Sequence, residues 1–141
     1  MADTLKCKIV TPVKAVFSEE ASYVGLPGEL GGFGVMRGHE PFVSSLTAGV
    51  VRVTTQAGGR GHETKFVVSG GYTEVKDNEV IVLADNAQAL EDLDVTAVRS
   101  DLADAEAHLN ALGVDSPEYA YYKGQKAWFE LLIAAATGEQ A

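Results

Sequence analysis

The sequence predicts a mixed fold: an N-terminal antiparallel β-sandwich, or flattened barrel, over residues 1–85 and a C-terminal antiparallel two-helix hairpin over residues 86–141. Short apolar or alternating runs, separated by glycine- and proline-rich turns, fill residues 5–84. After Asp85 the apolar residues recur every three or four positions, which is the period of a helix. The charge also changes there, because residues 1–84 carry 9 acidic and 8 basic side chains whereas residues 85–141 carry 11 and 3.

The composition limits the class of protein. A chain of 141 residues that is 46% hydrophobic can form one compact domain with an appendage. No apolar run approaches the roughly 20 residues of a membrane span, and the first residues do not resemble a signal peptide. A net charge of −9 argues against nucleic acid as a partner. The single cysteine, Cys7, lies in an alternating run and predicts a buried thiol in a reducing compartment.

The predicted strands follow one another at close spacing. Residues 5–10 begin by alternating apolar and polar side chains, and Thr11-Pro12 ends that strand. Residues 56–61 predict a hairpin turn, and Ser69-Gly70-Gly71 predicts a bulge or a tight corner. The other strands are predicted at residues 14–17, 21–26, 42–46, 50–55, 64–68, 72–75 and 79–84, the last of them buried.

Two helices are predicted at about 94–112 and 117–136, with Asp94 and Ser116 as their N-caps. Pro117 suits the first turn of the second helix, and Gly113 is expected to close the first. The first helix carries an apolar seam of Val95, Val98, Leu102, Ala105, Leu109 and Leu112. The second carries a broad stripe of Tyr121, Trp128, Leu132 and Ala135, widened by Tyr122, Phe129 and Ile133. The side chains expected to pack the hairpin together are Val98, Leu102, Leu109, Trp128 and Leu132.

The stretch from Gly28 to Pro41 is the candidate functional segment. Its glycines lie between two strand-like runs, so the backbone is expected to bend sharply and to present Glu29 and His39 from loops. Two interpretations stay open at this point. The segment is either an irregular sheet edge with bulges or a recognition loop held on a rigid scaffold.

The remaining polar residues favour an interaction module over an enzyme. The dipeptides His39-Glu40 and His62-Glu63 could bind a metal, but neither has the helical spacing of a metal motif. The glycine-rich stretch lacks the Lys-Ser/Thr of a phosphate loop, and Ser69-Gly70-Gly71 lacks the nucleophile-elbow pattern. His108 falls one residue off the helical seam and is expected at its flank. No catalytic residue, metal or cofactor is therefore expected.

Taken together, the motifs resemble the epsilon subunit of bacterial F-type ATP synthase, and the resemblance covers the full length. Each motif alone is weak, but they occur in the order and at the spacing of that family. The four segments are Gly28-Glu29-Leu30-Gly31 followed by Gly38-His39-Glu40-Pro41; Ser69-Gly70-Gly71 with Glu74-Val75; Val82-Leu83-Ala84-Asp85-Asn86-Ala87; and Asp92-Leu93-Asp94.

The resemblance implies a non-catalytic rotor subunit of the central stalk, peripheral to the cytoplasmic face of the bacterial inner membrane. Such a subunit binds the gamma subunit and the polar loops of the c-ring, and couples proton flow to ATP synthesis from ADP and phosphate. The family's Gly-Glu-Leu-Gly loop faces the c-ring. Glu29 is carried over as its contact with His39 beside it, and Leu30, Gly31 and Arg37 complete the expected contact set for the c-ring and gamma.

The resemblance also implies regulation, because the family's hairpin can extend into the alpha and beta catalytic subunits and in some members binds ATP. This sequence departs from both patterns. Ala97 stands where the nucleotide motif has arginine, and Arg99 comes two places later, which on a helix turns it roughly 200° away. The second helix has only Lys123 and Lys126 as basic residues in an acidic region. Weak inhibition and weak or absent ATP binding are therefore expected, with Asp94 and Arg99 as weak nucleotide candidates.

Two alternatives to the rotor subunit stay open. One is a free-standing β-sandwich module that binds another protein, and the other is a small His/Glu metal-dependent enzyme. Metal analysis of the purified protein separates the enzyme from the other two, and co-purification with ATPase subunits separates the rotor subunit from the module.

Overall fold

The computed structural model describes residues 3–56 and 61–138 and divides the chain into two compact units, Met1–Glu91 and Asp92–Ala141. The first unit is a sandwich of two sheets, and the second is a pair of helices. The predicted fold class is therefore confirmed. The predicted hairpin turn at residues 56–61 falls mostly on residues 57–60, which lie outside the described ranges.

The described strands are short and closely spaced, because turn residues interrupt the β-branched runs every few positions. In chain order they are β1 Leu5–Val10, β2 Ala15–Ala21, β3 Tyr23–Leu26, β4 Phe33–Val35, β5 Phe42–Leu46, β6 Gly49–Thr55, β7 His62–Val68, β8 Gly71–Lys76, β9 Glu79–Ala84 and β10 Ala87–Ala89.

The strands form two five-stranded sheets that face each other across one core. Sheet I has the order β2-β1-β9-β8-β5, and sheet II has the order β10-β7-β6-β3-β4. The pairing of β1 with β9 is parallel, and the other named pairs are antiparallel. Alternate side chains of each sheet point inward. Fully buried examples are Ile9, Val24, Val35, Val51, Val53, Val75, Val80 and Val82.

The sandwich extends further along the chain than the sequence indicated. Strand β10 pairs with β7 through Ala87↔Val68 and Ala89↔Phe66, and a single 3-10 turn follows at Leu90–Asp92. The predicted boundary at Asp85 is therefore too early, and the first unit ends at Glu91. The sequence missed β10 because its alanines and glutamine carry no strand preference of their own.

The hairpin comprises α1, Val95–Ala111, and α2, Pro117–Thr137. Asp94 caps α1, since its carboxylate accepts a hydrogen bond from the Ala97 N–H at 3.2 Å. Ser116 caps α2 in the same way. The helix ends at Ala111 with Leu112 as its C-cap in an extended conformation, and the predicted closing residue, Gly113, follows directly after the cap without a left-handed φ angle.

Antiparallel contacts hold the two helices together. Lys126 lies 3.9 Å from Glu106, and the ring of Tyr122 stacks on His108 with centroids 4.3 Å apart. The predicted packing residues have different degrees of burial: Val98 and Leu132 are buried, whereas Leu102, Leu109 and Trp128 are half-buried. The side chain of Tyr121 is 62% exposed and does not belong to the packed stripe. Among the described residues, no helix is both long and apolar enough to cross a membrane.

The thiol of Cys7 lies in the core of the sandwich, and its burial raises the pKa to about 12. The folded state therefore holds the thiol proton more tightly than the unfolded state, whose pKa lies near 9. The contribution to stability is complete below pH 9 and is lost as the pH rises from about 9 to about 12.

We expect the free energy of unfolding of the wild type to fall by about 2 kcal/mol more than that of Cys7→Ala between pH 8 and pH 10.5. Urea unfolding at the two pH values measures the difference. Cys7→Ala serves as the control for the wild type, because it lacks the thiol and keeps the other titratable side chains. Parallel declines in the two proteins would contradict the assigned burial effect.

Candidate partner-binding site

The predicted contact residue Glu29 lies in a tight turn at one end of the sandwich. The Gly31 N–H donates to the Gly28 carbonyl at 3.0 Å, which closes the turn and places Glu29 and Leu30 at its tip. The Glu29 N–H donates to the carbonyl of Ser45 at 3.1 Å, so the turn is held against the end of β5. Both tip side chains are exposed, Leu30 completely.

The other predicted contact residues lie at the opposite end. An Arg37 guanidinium nitrogen donates to the Thr4 carbonyl at 3.1 Å, and the Gly38 N–H donates to the side chain of Asn78 at 2.7 Å. The ring of His39 lies 6.0 Å from that of Phe42, the first residue of β5. His39 lies beside the start of β5, whereas Glu29 is held against its end. The two residues are therefore separated by about the length of β5, which is about 13 Å at the usual rise per residue.

The structure thus divides the predicted site in two. Glu29, Leu30 and Gly31 stay together at one end of the sandwich, which we call the Glu29 end. Arg37 and His39 belong to the other end, so the expectation that His39 stands beside Glu29 was wrong. The physical reason is that β4, Phe33–Val35, runs between them as a strand and carries the chain to the other end of the sandwich.

A second carboxylate, Asp85, lies at the Glu29 end and was missed from the sequence as a candidate. Its N–H donates to the Gly70 carbonyl at 3.3 Å, and the Asn86 N–H donates to the Ser69 hydroxyl at 3.0 Å. The Ser-Gly-Gly and Ala-Asp-Asn segments, 15 residues apart in the sequence, therefore form one hydrogen-bonded corner. Gly71 completes this corner, because a Cβ atom there would lie 2.0 Å from the Leu83 carbonyl oxygen.

An open cleft of about 730 Å³ separates the turn that follows β1 from the Glu29 turn. The cleft continues onto the outer face of sheet I at Tyr72 and Leu83. Its walls and floor are formed by Val10, Thr11, Pro12, Glu29, Ser45, Gly71, Ala84 and Asp85.

The outer face of sheet I carries exposed apolar side chains, which the sequence analysis also missed. Val43 is 67% exposed, Tyr72 is 60% exposed and Leu83 is 51% exposed. Tyr72 pairs with Leu83 across β8 and β9, and Leu83 pairs with Val10 across β9 and β1. We call Val43, Tyr72 and Leu83 the apolar face. A cluster of this kind on a folded surface is typical of a protein-binding site.

The signal for this face was present in the run Glu79–Ala84. Val80, Val82 and Ala84 point into the core, and Ile81 and Leu83, which alternate with them, point outward. A run that is apolar on both sides was interpreted as a strand buried by its own chain. It equally describes a strand whose second face is covered by another molecule.

The metal and nucleotide candidates do not assemble into a site in the described part of the chain. No group of three His, Cys, Asp or Glu side chains there is placed to hold a metal ion. Asp94 already serves as the cap of α1, and Ala97 and Arg99 are exposed on that helix.

Comparison with known proteins gives the family. A family described as "ATP synthase, Delta/Epsilon chain, beta-sandwich domain" matches residues 4–90. The chain is 39% identical to the ATP synthase epsilon chain of Geobacter metallireducens, over 92% of this chain and 89% of that one. It is 42% identical to the epsilon chain of Desulforamulus reducens, over 80% of this chain and 83% of the relative.

Solved structures show the same fold. A chain of the Euglena gracilis mitochondrial ATP synthase matches with a TM-score of 0.68 at 23% identity, over 96% of this chain and 82% of that one. A chain of the Tetrahymena thermophila mitochondrial ATP synthase, from its central stalk and c-ring, matches with a TM-score of 0.59 at 16% identity, over 93% and 95%. At these identities the likeness concerns the fold alone.

Fold and site define a class of small β-sandwich protein with a helical hairpin and a surface suited to a protein partner. The chain belongs to the family of ATP synthase epsilon chains. This family match confirms the resemblance that the sequence motifs indicated. An epsilon chain is a subunit of ATP synthase and is not itself catalytic.

Proposed function

We propose that this chain is a rotor subunit of the central stalk, which couples proton flow through a c-ring to ATP synthesis in the catalytic head. The proposal rests on one observation: the apolar face adjoins the Glu29 end, which carries exposed carboxylates, on the same hydrogen-bonded sandwich. Family membership supports it, because epsilon chains are subunits of that complex. As part of that complex, the chain is proposed to lie at the cytoplasmic face of the bacterial inner membrane, without insertion of its own.

The sandwich suits mechanical transmission because both of its proposed binding surfaces lie on one stiff unit. Strand pairing connects Val43 on β5 to Val10 on β1 through β8 and β9. The Glu29 turn is joined to the same sheet through Ser45 and Thr47. A force applied at the Glu29 end is therefore carried by backbone hydrogen bonds and not by a flexible linker.

The apolar face is the surface that we assign to the gamma subunit. Tyr72 supplies a large aromatic side chain, and aromatic residues at the centre of an interface often contribute most to affinity. Burial by gamma also explains why two outward positions of β9, Ile81 and Leu83, are apolar in a sequence that carries a net charge of −9. Charged side chains also lie on the outer faces of both sheets. Lys8 pairs with Glu79 at 3.1 Å on sheet I, and Glu63 lies within 4 Å of Arg52 and Lys65 on sheet II.

The Glu29 end is the surface that we assign to the polar loops of the c-ring. Glu29 is exposed, and among the described residues no basic side chain forms an ion pair with it. It is therefore available to a basic loop residue of the ring. An exposed ion pair contributes about 0–1 kcal/mol, so this contact sets the register between the subunits more than their affinity.

We expect Glu29→Ala to lower proton-driven ATP synthesis by about twofold to fivefold at low salt, since about 0.5–1 kcal/mol of pairing energy is lost. Synthesis by membrane vesicles that carry the variant complex measures the effect. The variant subunit should fold normally, because the Glu29 side chain is exposed. Glu40→Ala, which removes an exposed carboxylate at the opposite end, is the matched control. Equal synthesis by wild type and Glu29→Ala would remove Glu29 from the contact surface.

The hairpin is proposed to be a weak regulator of hydrolysis. Residues 92–138 contain eight acidic residues and only Arg99, Lys123 and Lys126 as lysine or arginine. A helix pair of this charge is repelled by acidic catalytic subunits. Deletion of residues 92–141, which leaves β10 in place, should therefore raise ATP hydrolysis by less than twofold, and a large rise would show that the hairpin is a strong inhibitor.

We also expect no micromolar binding of ATP. Asp94 is engaged as the cap of α1, and Ala97 supplies no cation where the family motif has arginine. Isothermal titration calorimetry of the purified chain with ATP and Mg²⁺ tests this expectation. A dissociation constant in the micromolar range would refute it, and loss of that binding in Arg99→Ala would then identify the residue responsible.

A further inference from the structure

Two turns project from the Glu29 end, one on each side of the cleft. The Thr11 N–H donates to the Lys14 carbonyl at 2.9 Å and closes the first turn, with Pro12 and Val13 at its tip. The Glu29 turn is closed by its own hydrogen bond between Gly31 and Gly28. Each tip carries an apolar side chain that is exposed to an unusual degree, 88% for Val13 and completely for Leu30.

The cleft between the turns carries negative charge at its rim. Glu29 and Asp85 both line it, and both are exposed. Within residues 3–56 and 61–138, neither carboxylate is within ion-pair distance of a lysine, arginine or histidine. The backbone hydrogen bonds of the Asp85 corner to Ser69 and Gly70 hold the second carboxylate in place.

The geometry points to a two-pronged binding cleft that receives one basic loop of the partner. Val13 and Leu30 flank that loop with apolar contacts, and Glu29 and Asp85 share its lysine or arginine. This inference rests on the proposed function, since the partner at this end is the c-ring. It adds Asp85 and the turn after β1, at Val13, to the contact surface that Glu29 and Leu30 defined.

Charge decides between a protein loop and a lipid surface as the occupant. Exposed apolar tips such as Val13 and Leu30 can also enter a membrane interface. However, bacterial membranes rich in anionic lipids repel a rim that carries Glu29 and Asp85, whereas a basic protein loop is attracted to it. The cleft floor at Ser45 and Gly71 also leaves room for a loop between the turns.

The test is a titration of fluorescently labelled chain into its own ATP synthase, depleted of this subunit and held in nanodiscs. Asp85→Asn should bind about threefold more weakly at about 50 mM salt, and the difference should vanish near about 0.5 M because salt screens exposed charges. Val13→Ser should bind about fivefold more weakly at both salt concentrations, since it removes apolar contact. Asp77→Asn and Met36→Ser are the matched controls, an exposed carboxylate and an exposed apolar side chain away from the cleft.

Three results would overturn the inference. If Glu29→Gln weakens binding but Asp85→Asn and Val13→Ser do not, the cleft is not the contact and the proposed function stands. If the wild type does not bind the depleted complex, the proposed function fails and the cleft assignment fails with it. If the wild type binds empty nanodiscs of phosphatidylethanolamine and phosphatidylglycerol, and Val13→Ser abolishes that binding, the prongs bind lipid.

Discussion

Gly71→Ala is expected to destabilise the sandwich by about 3 kcal/mol or more, a large fraction of the stability of a small domain. The φ angle of Gly71 is +143°, a conformation that residues with a Cβ atom rarely adopt. An added Cβ would also lie 2.0 Å from the Leu83 carbonyl oxygen and 2.9 Å from the Ala84 Cα. The backbone pairing of β8 with β9 must therefore shift, and the Asp85 corner shifts with it.

Urea unfolding followed by far-UV circular dichroism measures this loss. The single tryptophan, Trp128, lies in the hairpin, so its fluorescence reports the unfolding of that unit separately. Gly32→Ala is the control, because a Cβ there meets only the Leu26 carbonyl oxygen at 3.6 Å and the φ angle is not left-handed. A midpoint for Gly71→Ala equal to that of Gly32→Ala would show that the corner can relax around a side chain.

Tyr72→Asp is expected to weaken binding of the isolated gamma subunit by about a hundredfold while leaving the fold intact. The substitution removes an exposed aromatic side chain and places an unpaired carboxylate in an interface, which together cost about 2–3 kcal/mol. Its cross-strand neighbours are Ser45 and Leu83, neither of which is charged, so the substitution breaks no ion pair in the folded monomer.

Titration of purified gamma with the variant, monitored by fluorescence anisotropy, measures the affinity. Met36→Asp is the matched control, since Met36 is equally 60% exposed but lies away from the apolar face. Both variants should unfold within about 0.5 kcal/mol of the wild type, as surface substitutions generally do. Equal affinity of the two variants for gamma would mean that the subunit docks elsewhere.

Much of the fold follows from local patterns in the sequence. The alternation in residues 5–10 and the β-branched run before Gln56 set two strands at their observed positions, and the caps Asp94 and Ser116 set the helix starts. Strand β4 was missed because Gly34 reads as a bend. The structure uses that glycine differently: the ring of Tyr23 packs over it, and a Cβ there would lie 2.5 Å from the ring. The need for a glycine at position 34 thus comes from Tyr23, which lies 11 positions earlier, so the residues next to Gly34 carry no signal of it.

The candidate site was only partly predictable for a related reason. Glu29 was found because its turn residues are adjacent in the sequence, whereas Asp85 joins it only through sheet I. His39 was grouped with Glu29 because it is close in sequence, yet β4 moves the two residues apart. The sequence did not predict the apolar face, because Tyr72 and Leu83 are residue types that also occur in a buried core. Their pairing across β8 and β9 and their exposure in the folded sandwich show that they point outward together.

The parallel partnership of β1 with β9 constrains how the chain can fold during synthesis. Lys6 pairs with Glu79, so the first strand made must wait on the ribosome for more than 70 further residues before its neighbour in the middle of sheet I emerges. In sheet II, β6 and β7 follow each other in the chain, so their hairpin can form without such a delay. The nascent chain can therefore form the β6–β7 and β1–β2 hairpins early, while the edge of β1 that pairs with β9 stays open until translation has passed Ala84.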